Sequence, residues 1–280
     1  MTLPYRRLLL ATEHGAFDSG AETLALALAR QFGLPLAAVL PLTSNAEFEA
    51  LAPQWAARAE AEASTHRESL LAAALASGIT LEISVRRGPE PYAEIVAEAR
   101  AQGSDLIVIR RRGQRGVLAN LLVGDMVSKV VAHAPCSVLV APRACAMWSR
   151  RVLLGLHPLQ AQTQAVARAI ALAAGSRLPL HLACVLPDEG AHDAAQAALA
   201  SAQARAAAAG VDASAELCRG AVHQALLDAA GRCGADLIVV GRHRADNLPR
   251  AWIGGVVQKV VGLATCPVLV QVDPPSPPQP

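Results

Sequence analysis

The same series of segments occurs twice in this chain. GSDLIVIRRRG at 103–113 corresponds to GADLIVVGRHR at 234–244. Each of these segments is followed by a second matched stretch, VGDMVSKVVAHAPCSVLVAP at 123–142 and GGVVQKVVGLATCPVLVQVD at 254–273. A long internal repeat indicates that one structural unit has been duplicated. The chain must therefore be built from two copies of one fold.

The limits of the two copies follow from their first strands, RRLLLATEH and RRVLLGLHP. We predict one domain at residues 1–145, a second at 149–273, and a proline-rich tail at 274–280 that cannot pack. The first copy is the longer one. Most of its additional residues lie in TSNAEFEALAPQWAARAEAEASTHRESLL at 43–71.

Within each copy, short apolar segments alternate with amphipathic or alanine-rich segments. Continuously apolar strands such as DLIVV are typical of a parallel sheet that is covered on both faces. Alternating strands and helices predict an α/β fold with a doubly wound open sheet. The sequence therefore predicts two tandem sheets of five mainly parallel strands each, with helices on both faces.

Composition and charge limit the classes of protein to which the chain can belong. Hydrophobic residues make up 53% of the chain but aromatic residues only 3%, which fits alanine-rich helices on aliphatic strands. The N-terminal apolar run is too short for a signal peptide, so a cytoplasmic location without membrane contact is expected. A net charge of +2 predicts no specific nucleic-acid binding. The six cysteines form no CxxC pair, so reduced thiols are expected rather than a zinc site.

The order of these segments resembles the universal stress protein family in its tandem two-domain form. The most specific parts are DLIVVG followed by a glycine-bearing loop, and AHAPCSVLV or LATCPVLV at the end of a copy. The resemblance covers nearly the whole chain and implies strand order 3-2-1-4-5 in each sheet. It also implies that a subgroup binds ATP, and that members dimerise through the last strands. In this chain the two copies could form a pseudo-dimer, with 137–141 paired against 267–272; a homodimer and a protein partner are further possibilities.

In the ATP-binding members that this chain resembles, an acidic residue ends strand one, and a loop of pattern G-x2-G-x9-G-[ST] follows strand four. Glycines let backbone N–H groups approach phosphate oxygens, and the helix N-terminus adds partial positive charge. In the second copy the loop length is intact, but its contact residues have changed. The positions that correspond to this site are Gly241, Arg244, Gly254, Gly255 and, at the end of strand one, His157.

The first copy departs from the same pattern in a different way. Glu13 keeps a carboxylate at the end of strand one, and Arg110 replaces the first glycine. Gly113 and Gly124 remain, but they are separated by ten residues instead of nine, and Asp125 occupies the hydroxyl position. A carboxylate there would repel a phosphate. We therefore expect nucleotide loops that are degenerate in both copies, with ATP binding surviving in the second copy as the alternative.

The arginines after the two fourth strands have two interpretations, a solvated loop rim, which we favour, or contacts to a polyanion. They are Arg110, Arg111, Arg112, Arg115, Arg242, Arg244 and Arg250.

Three other functions compete with a nucleotide regulator. His157, His192, His223 and His243 all follow strands of the second copy, where a ligand site would lie, but no metal-ligand spacing supports a metal site. An enzyme is not expected, because no nucleophile motif or phosphate-loop lysine occurs. The third is an interaction module, with Phe48 and Trp55 as an anchor on the first-copy insert.

Overall fold

The computed structural model describes residues 3–13, 18–44, 49, 53–111, 124–160, 162–186, 189–242 and 254–272. The described residues from Tyr5 to Met147 form one compact unit, called the first domain below. Those from Trp148 onward, together with Leu3 and Pro4, form the second. The expected tail at 274–280 lies outside the described residues.

The first domain alternates strands and helices in the predicted order. Its elements are β1 (Leu8–Ala11), α1 (Ser19–Phe32), β2 (Leu36–Thr43), α2 (Pro53–Ala76), β3 (Leu81–Gly88), α3 (Pro91–Ala101), β4 (Leu106–Arg110), α4 (Asp125–His133) and β5 (Ser137–Ala141). All its strand pairs are parallel, in the order β3-β2-β1-β4-β5. The α/β fold class and the strand order 3-2-1-4-5 are confirmed.

The second domain repeats this arrangement. Its elements are β6 (Val152–Leu156), α5 (Thr163–Ser176), β7 (Leu180–Leu186), a 3₁₀ turn (Glu189–Ala191), α6 (His192–Ala208), β8 (Ala213–Arg219), α7 (Val222–Cys233), β9 (Leu237–Gly241), α8 (Gly255–Leu263) and β10 (Val268–Gln271). Its strands follow the order β8-β7-β6-β9-β10, again all parallel. The first-copy insert enlarges the second helix, since α2 has 24 residues and α6 has 17.

Burial explains why the central strands read as uninterrupted apolar runs. All four residues of β1 are buried, and Leu8, Leu9 and Leu10 have no exposed surface. Ile238 and Val239 in β9 are equally enclosed. A strand that packs helices on both faces cannot alternate apolar and polar side chains. No helix among the described residues is long and apolar enough to cross a membrane.

An aspartate fixes the start of the first strand in each domain. Asp105 accepts hydrogen bonds from the backbone N–H groups of Arg6 and Arg7, at 2.8 and 3.0 Å. Asp236 accepts from the backbone N–H groups of Ser149, Arg150 and Arg151, at 2.8 to 3.2 Å. These carboxylates satisfy backbone donors that precede the sheet ladder. The aspartate of each DLIV segment is therefore structural.

Candidate functional site

The expected site lies where the first and fourth strands of each domain end. β1 pairs with β4 from Leu8↔Leu106 to Ala11↔Ile109, and β6 pairs with β9 from Val152↔Leu237 to Gly155↔Val240. Ligands of open α/β sheets bind in the crevice outside the carboxyl ends of such strands. The residues that line this crevice differ between the two domains.

In the first domain a buried guanidinium lies in the crevice. Arg110 ends β4, and its side chain is only 7% exposed. Its Nη2 bonds Glu13 Oε2, and its Nε lies 3.1 Å from Asp18 Oδ1. The prediction that Arg110 belongs to a solvated loop rim is therefore wrong, because two carboxylates hold its side chain inside the domain. Glu13, the predicted nucleotide-binding acid, is one of them.

Asp18 is a residue of this cluster that the sequence analysis does not identify. It occupies the N-cap position of α1, and its side chain has no exposed surface. Burial raises the pKa of Asp18 from 3.8 to about 7, although the nearby Arg110 opposes this shift. The available sequence signal is an aspartate immediately before the predicted helix, which indicates an N-cap but not a partner on β4.

A second polar group adjoins the first on the same side of the sheet. Glu22 Oε1 accepts from the hydroxyl of Thr12 at 2.6 Å and lies 2.8 Å from His66 Nε2. Burial alone would raise the pKa of Glu22, but hydrogen bonds from His66 and Thr12 outweigh it and lower that pKa. The bond to Glu22 raises the pKa of His66. His66 of the first-copy insert therefore faces the domain interior.

The helix that follows the first-domain loop begins with a glycine cap and an exposed carboxylate. Gly124, not Asp125, is the N-cap residue of α4. The Asp125 side chain is 81% exposed and lies 3.2 Å from Lys129 Nζ. This carboxylate places negative charge at the helix start, where the G-x2-G-x9-G-[ST] pattern has a hydroxyl.

In the second domain an amide takes the place of the ion pairs. Gln162 is the N-cap residue of α5, the position that Asp18 has on α1. Its Oε1 accepts from the backbone N–H of His157 at 2.9 Å. A Cβ added to Gly241 would lie 3.0 Å from Gln162 Nε2. Gln162 thus spans the crevice from the end of β6 to the end of β9, where the missing Cβ of Gly241 leaves room for its amide.

The environment of His157, at the end of β6, favours the uncharged form of its imidazole ring. The backbone N–H of Leu159 donates to His157 Nδ1 at 3.1 Å, so in the neutral ring Nε2 carries the proton. Burial lowers the pKa of His157. An uncharged N–H donor therefore replaces the carboxylate acceptor of the ATP-binding pattern.

The two glycines at the start of α8 leave space in front of the helix. Gly254 is the N-cap residue and Gly255 is the first helical residue. A Cβ added at either position would meet no described atom within 4 Å. Neither glycine has a positive φ. Among the described residues Gly255 is exposed and Gly254 is half-buried, so this helix N-terminus presents accessible backbone.

Several predicted residues lie outside the described part of the chain. Gly113, Arg244, His243 and Phe48 belong to this group, as do Arg112, Arg115 and Arg250. The described residues contain no cluster of three or more histidine, cysteine or carboxylate side chains that suits a metal ion.

The two described tryptophans differ in exposure. Trp55 on α2 is 56% exposed, whereas Trp148 is buried and donates to Ser176 Oγ at 3.0 Å.

Comparison with known proteins agrees with this fold. A universal stress protein from Archaeoglobus fulgidus DSM 4304 is 16% identical with a TM-score of 0.77, and the match covers 95% of this chain and 97% of that chain. A structure described as that of a universal stress protein from Pseudomonas aeruginosa UCBPP-PA14 is 17% identical with a TM-score of 0.68, and the match covers 96% of this chain and 93% of that chain. No curated protein sequence matches the chain.

A sequence profile of the universal stress protein family matches two separate segments, residues 4–142 and 149–271. Each segment contains one of the two five-stranded sheets described above. Because the two matches together span nearly the whole sequence, the chain belongs to the universal stress protein family and consists of two such domains in tandem.

Proposed function

We propose that this chain is a non-enzymatic stress-response protein with degenerate nucleotide-binding loops in both domains. The observation that carries the proposal is the buried Arg110, paired with Glu13 and Asp18 where a nucleotide would bind. A protein of this kind acts by binding other molecules rather than by turnover. The cytoplasm is the expected compartment.

The charge balance in the first domain opposes nucleotide binding. A phosphate would need the guanidinium of Arg110, but two carboxylates already neutralise it. An incoming polyphosphate would bring negative charge beside Glu13, Asp18 and the exposed Asp125. Like charges at close range in a partly buried site cost several kcal/mol, as an order of magnitude. The bond from Arg110 to Glu13 Oε2 also competes with any contact from a ribose to that oxygen.

The second domain supports an alternative function, a nucleotide-binding regulator. Gly254 and Gly255 leave the N-terminus of α8 accessible, and a helix N-terminus attracts anions. Against this alternative, Gln162 fills the space above Gly241, and His157 supplies a donor where the ATP-binding pattern has an acceptor. We favour a degenerate site here too, and the following experiment separates the two functions.

The test is calorimetric titration of the full chain with Mg-ATP and with AMP, up to millimolar nucleotide. We expect no binding heat. Binding at micromolar concentration would overturn the proposal. Gly254→Asp then identifies the domain, because its carboxylate would block an anion at α8.

The matched control is Gly231→Asp. Gly231 is an exposed helical residue of α7 with no described atom within 4 Å of an added Cβ, so the variant adds the same charge away from the crevice. Loss of micromolar binding with Gly254→Asp alone would assign it to the second domain. Loss with neither variant would assign it to the first.

We further propose domain limits at 1–145 and 149–273, and a pseudo-dimer in which 137–141 pairs with 267–272. The resemblance to proteins that dimerise through their last strands supports this pairing. This pairing would also cover two exposed strand edges, whose unpaired backbone groups would otherwise promote aggregation. A homodimer of whole chains would then need another surface.

A further inference from the structure

Three side chains that the proposed function does not use lie together on one face of the second sheet. β7 and β8 are in register with His181 opposite Ser214 and Ala183 opposite Glu216. Because alternate residues of a strand share a face, Ser214 and Glu216 both lie beside His181. His181 Nδ1 is 2.8 Å from Ser214 Oγ, and His181 Nε2 is 3.1 Å from Glu216 Oε1.

The chemistry of Glu216 determines the proton positions in this group. Burial alone would raise the pKa of Glu216, but hydrogen bonds from His181 and Arg232 outweigh burial and lower it. Glu216 is therefore an ionised acceptor, so Nε2 of His181 must carry a proton. In the neutral ring Nδ1 then has a lone pair, which accepts the hydroxyl proton of Ser214. Hydroxyl, imidazole and carboxylate are thus linked in the order of a serine nucleophile, its base and an orienting acid.

Exposure fits these roles. Ser214 is exposed to solvent, whereas His181 is only 8% exposed. The Glu216 side chain is 29% exposed and also pairs with Arg232 Nη2 at 3.1 Å. The Ser214 hydroxyl is therefore accessible to a reagent from solution, while the buried His181 ring is fixed by its bond to Glu216. Sequence motifs do not reveal this group, because Ser214 and His181 are 33 positions apart and come together only through strand register.

We propose that Ser214 is a nucleophilic acyl-acceptor site, modified by activated acyl donors such as acyl phosphates and thioesters. Ser214 Oγ attacks the acyl carbon and forms an ester bond, while the bond from that carbon to phosphate oxygen or thiol sulfur breaks. The hydroxyl proton passes to His181 Nδ1 and then to the leaving group. Glu216 is a positioning residue that keeps Nε2 protonated. The step is a single acyl transfer and requires no redox partner.

The first domain provides an internal comparison, because it lacks the histidine. β2 and β3 pair with Ala37 opposite Glu82 and Val39 opposite Ser84. Ala37 stands where the second domain has His181, since each follows the first residue of its strand. Ser84 instead donates to Glu98 Oε1 at 2.8 Å. The arrangement around Ser214 is therefore particular to the second copy.

The test is acetylation of the full chain by 4-nitrophenyl acetate, followed by mass spectrometry of each serine-containing peptide. Ser201, an exposed serine of α6, is the reference within the same molecule. A positioned general base accelerates a reaction by about 100-fold or more, so we expect Ser214 to react at least about tenfold faster than Ser201. Equal rates at the two serines would overturn the proposal without any variant.

Variants then test the source of the reactivity. We expect His181→Ala to reduce acetylation of Ser214 to the Ser201 rate, and added imidazole to restore part of it, which a structural role would not produce. Glu216→Gln should slow the reaction, whereas the matched control Glu60→Gln, which removes an exposed carboxylate paired with Arg87 in the first domain, should not. Fast acetylation that persists in His181→Ala would overturn the assignment of the base.

Discussion

Arg110 is a buried cation of the first domain that two carboxylates contact. In Arg110→Met the carboxylates of Glu13 and Asp18 lose their buried partner, and removal of one member of a buried ion pair costs about 3–5 kcal/mol. We expect this loss in the free energy of unfolding near neutral pH, measured by urea denaturation. The penalty should shrink as the pH falls below about 7, because burial raises the pKa of Asp18 to about 7 and its protonated carboxyl needs no cationic partner.

Arg58→Gln is the matched control for that measurement. Arg58 pairs with Glu62 at 2.7 Å, but both side chains are largely exposed, at 68% and 47%. Exposed ion pairs contribute less than about 1 kcal/mol. An Arg110→Met penalty no larger than that of Arg58→Gln would show that the pair with Glu13 and Asp18 does not hold the crevice together.

The bond between His66 and Glu22 gives the first domain a pH-dependent stability. The pKa of His66 is raised from 6.5, so its contribution is complete below that value and is lost as the pH rises through the folded pKa. The pKa of Glu22 is lowered from 4.5, so its contribution is lost as the pH falls below that value. The pair should therefore stabilise the domain most between pH 4.5 and 6.5.

We expect His66→Gln to lower the free energy of unfolding by about 1–2 kcal/mol in that window. The difference from the unsubstituted protein should shrink as the pH rises above 6.5 through the raised pKa of His66. Urea denaturation at a series of pH values measures it. Asp18, with its raised pKa, adds a pH dependence of the same sign, but it is present in both proteins. A difference that does not change with pH would argue against a charged His66.

At the residue scale, the sequence identifies several positions of the crevice but not which side chains contact each other there. Glu13 keeps the carboxylate of the nucleotide-binding pattern and Arg110 departs from that pattern, but no sequence motif links the two side chains. Their ion pair depends on β1 and β4 being neighbours, which brings together residues 97 positions apart. Asp18 and Gln162 were missed because an N-cap residue ordinarily bonds its own helix, whereas these two side chains contact the end of another strand.

At the scale of elements, the start of α1 is closely packed against the segment that leaves β5. A Cβ added to Gly20 would lie 2.0 Å from the carbonyl oxygen of Pro142 and 2.7 Å from that of Arg143. Ser19 Oγ also donates to the Arg143 carbonyl at 3.3 Å. These carbonyl oxygens carry partial negative charge and face the positive end of the helix. Glycine is needed here for close approach, not for an unusual φ.

We therefore expect Gly20→Ala to destabilise the protein by about 1–3 kcal/mol, because backbone atoms must move to admit the methyl group. Gly231→Ala is the comparison of opposite sign. Gly231 lies within α7 with no described atom near an added Cβ, and alanine in a helix is more stable than glycine by about 0.5–1 kcal/mol. Thermal or urea unfolding of the two variants should shift in opposite directions; a shared direction would refute the packing argument.

Element order was predictable because buried parallel strands and glycine-ended helices leave clear patterns. Gly33 has a φ of 63° and ends α1, as its position after LALALARQF indicates. The corresponding position after α5 is Arg177, which adopts the same left-handed conformation with a φ of 56°. No local pattern predicts that exception. The turn is imposed by the return of the chain to the sheet, and the second copy retains it without the glycine.

At the scale of the whole molecule, the two copies have kept the sheet and changed its crevice. The aspartates that fix the first strands, Asp105 and Asp236, are equivalent in both domains. The crevice residues are not, since the first domain has a charged Arg110 and the second a neutral Gln162. A duplicated domain can lose a ligand site in this way without losing its core, because the site depends on few side chains and the core on many.

The proposed pseudo-dimer predicts that damage to one domain reaches the other. If 137–141 pairs with 267–272, Arg110→Met weakens the first domain and should also accelerate amide hydrogen exchange in β10, because a paired strand exchanges only when the pairing opens. Exchange followed by mass spectrometry measures β10 and, as an internal reference, β7. We expect faster exchange in β10 and little change in β7. Unchanged exchange in both strands, with the first domain visibly destabilised, would mean that the domains unfold independently and would rule out the pairing.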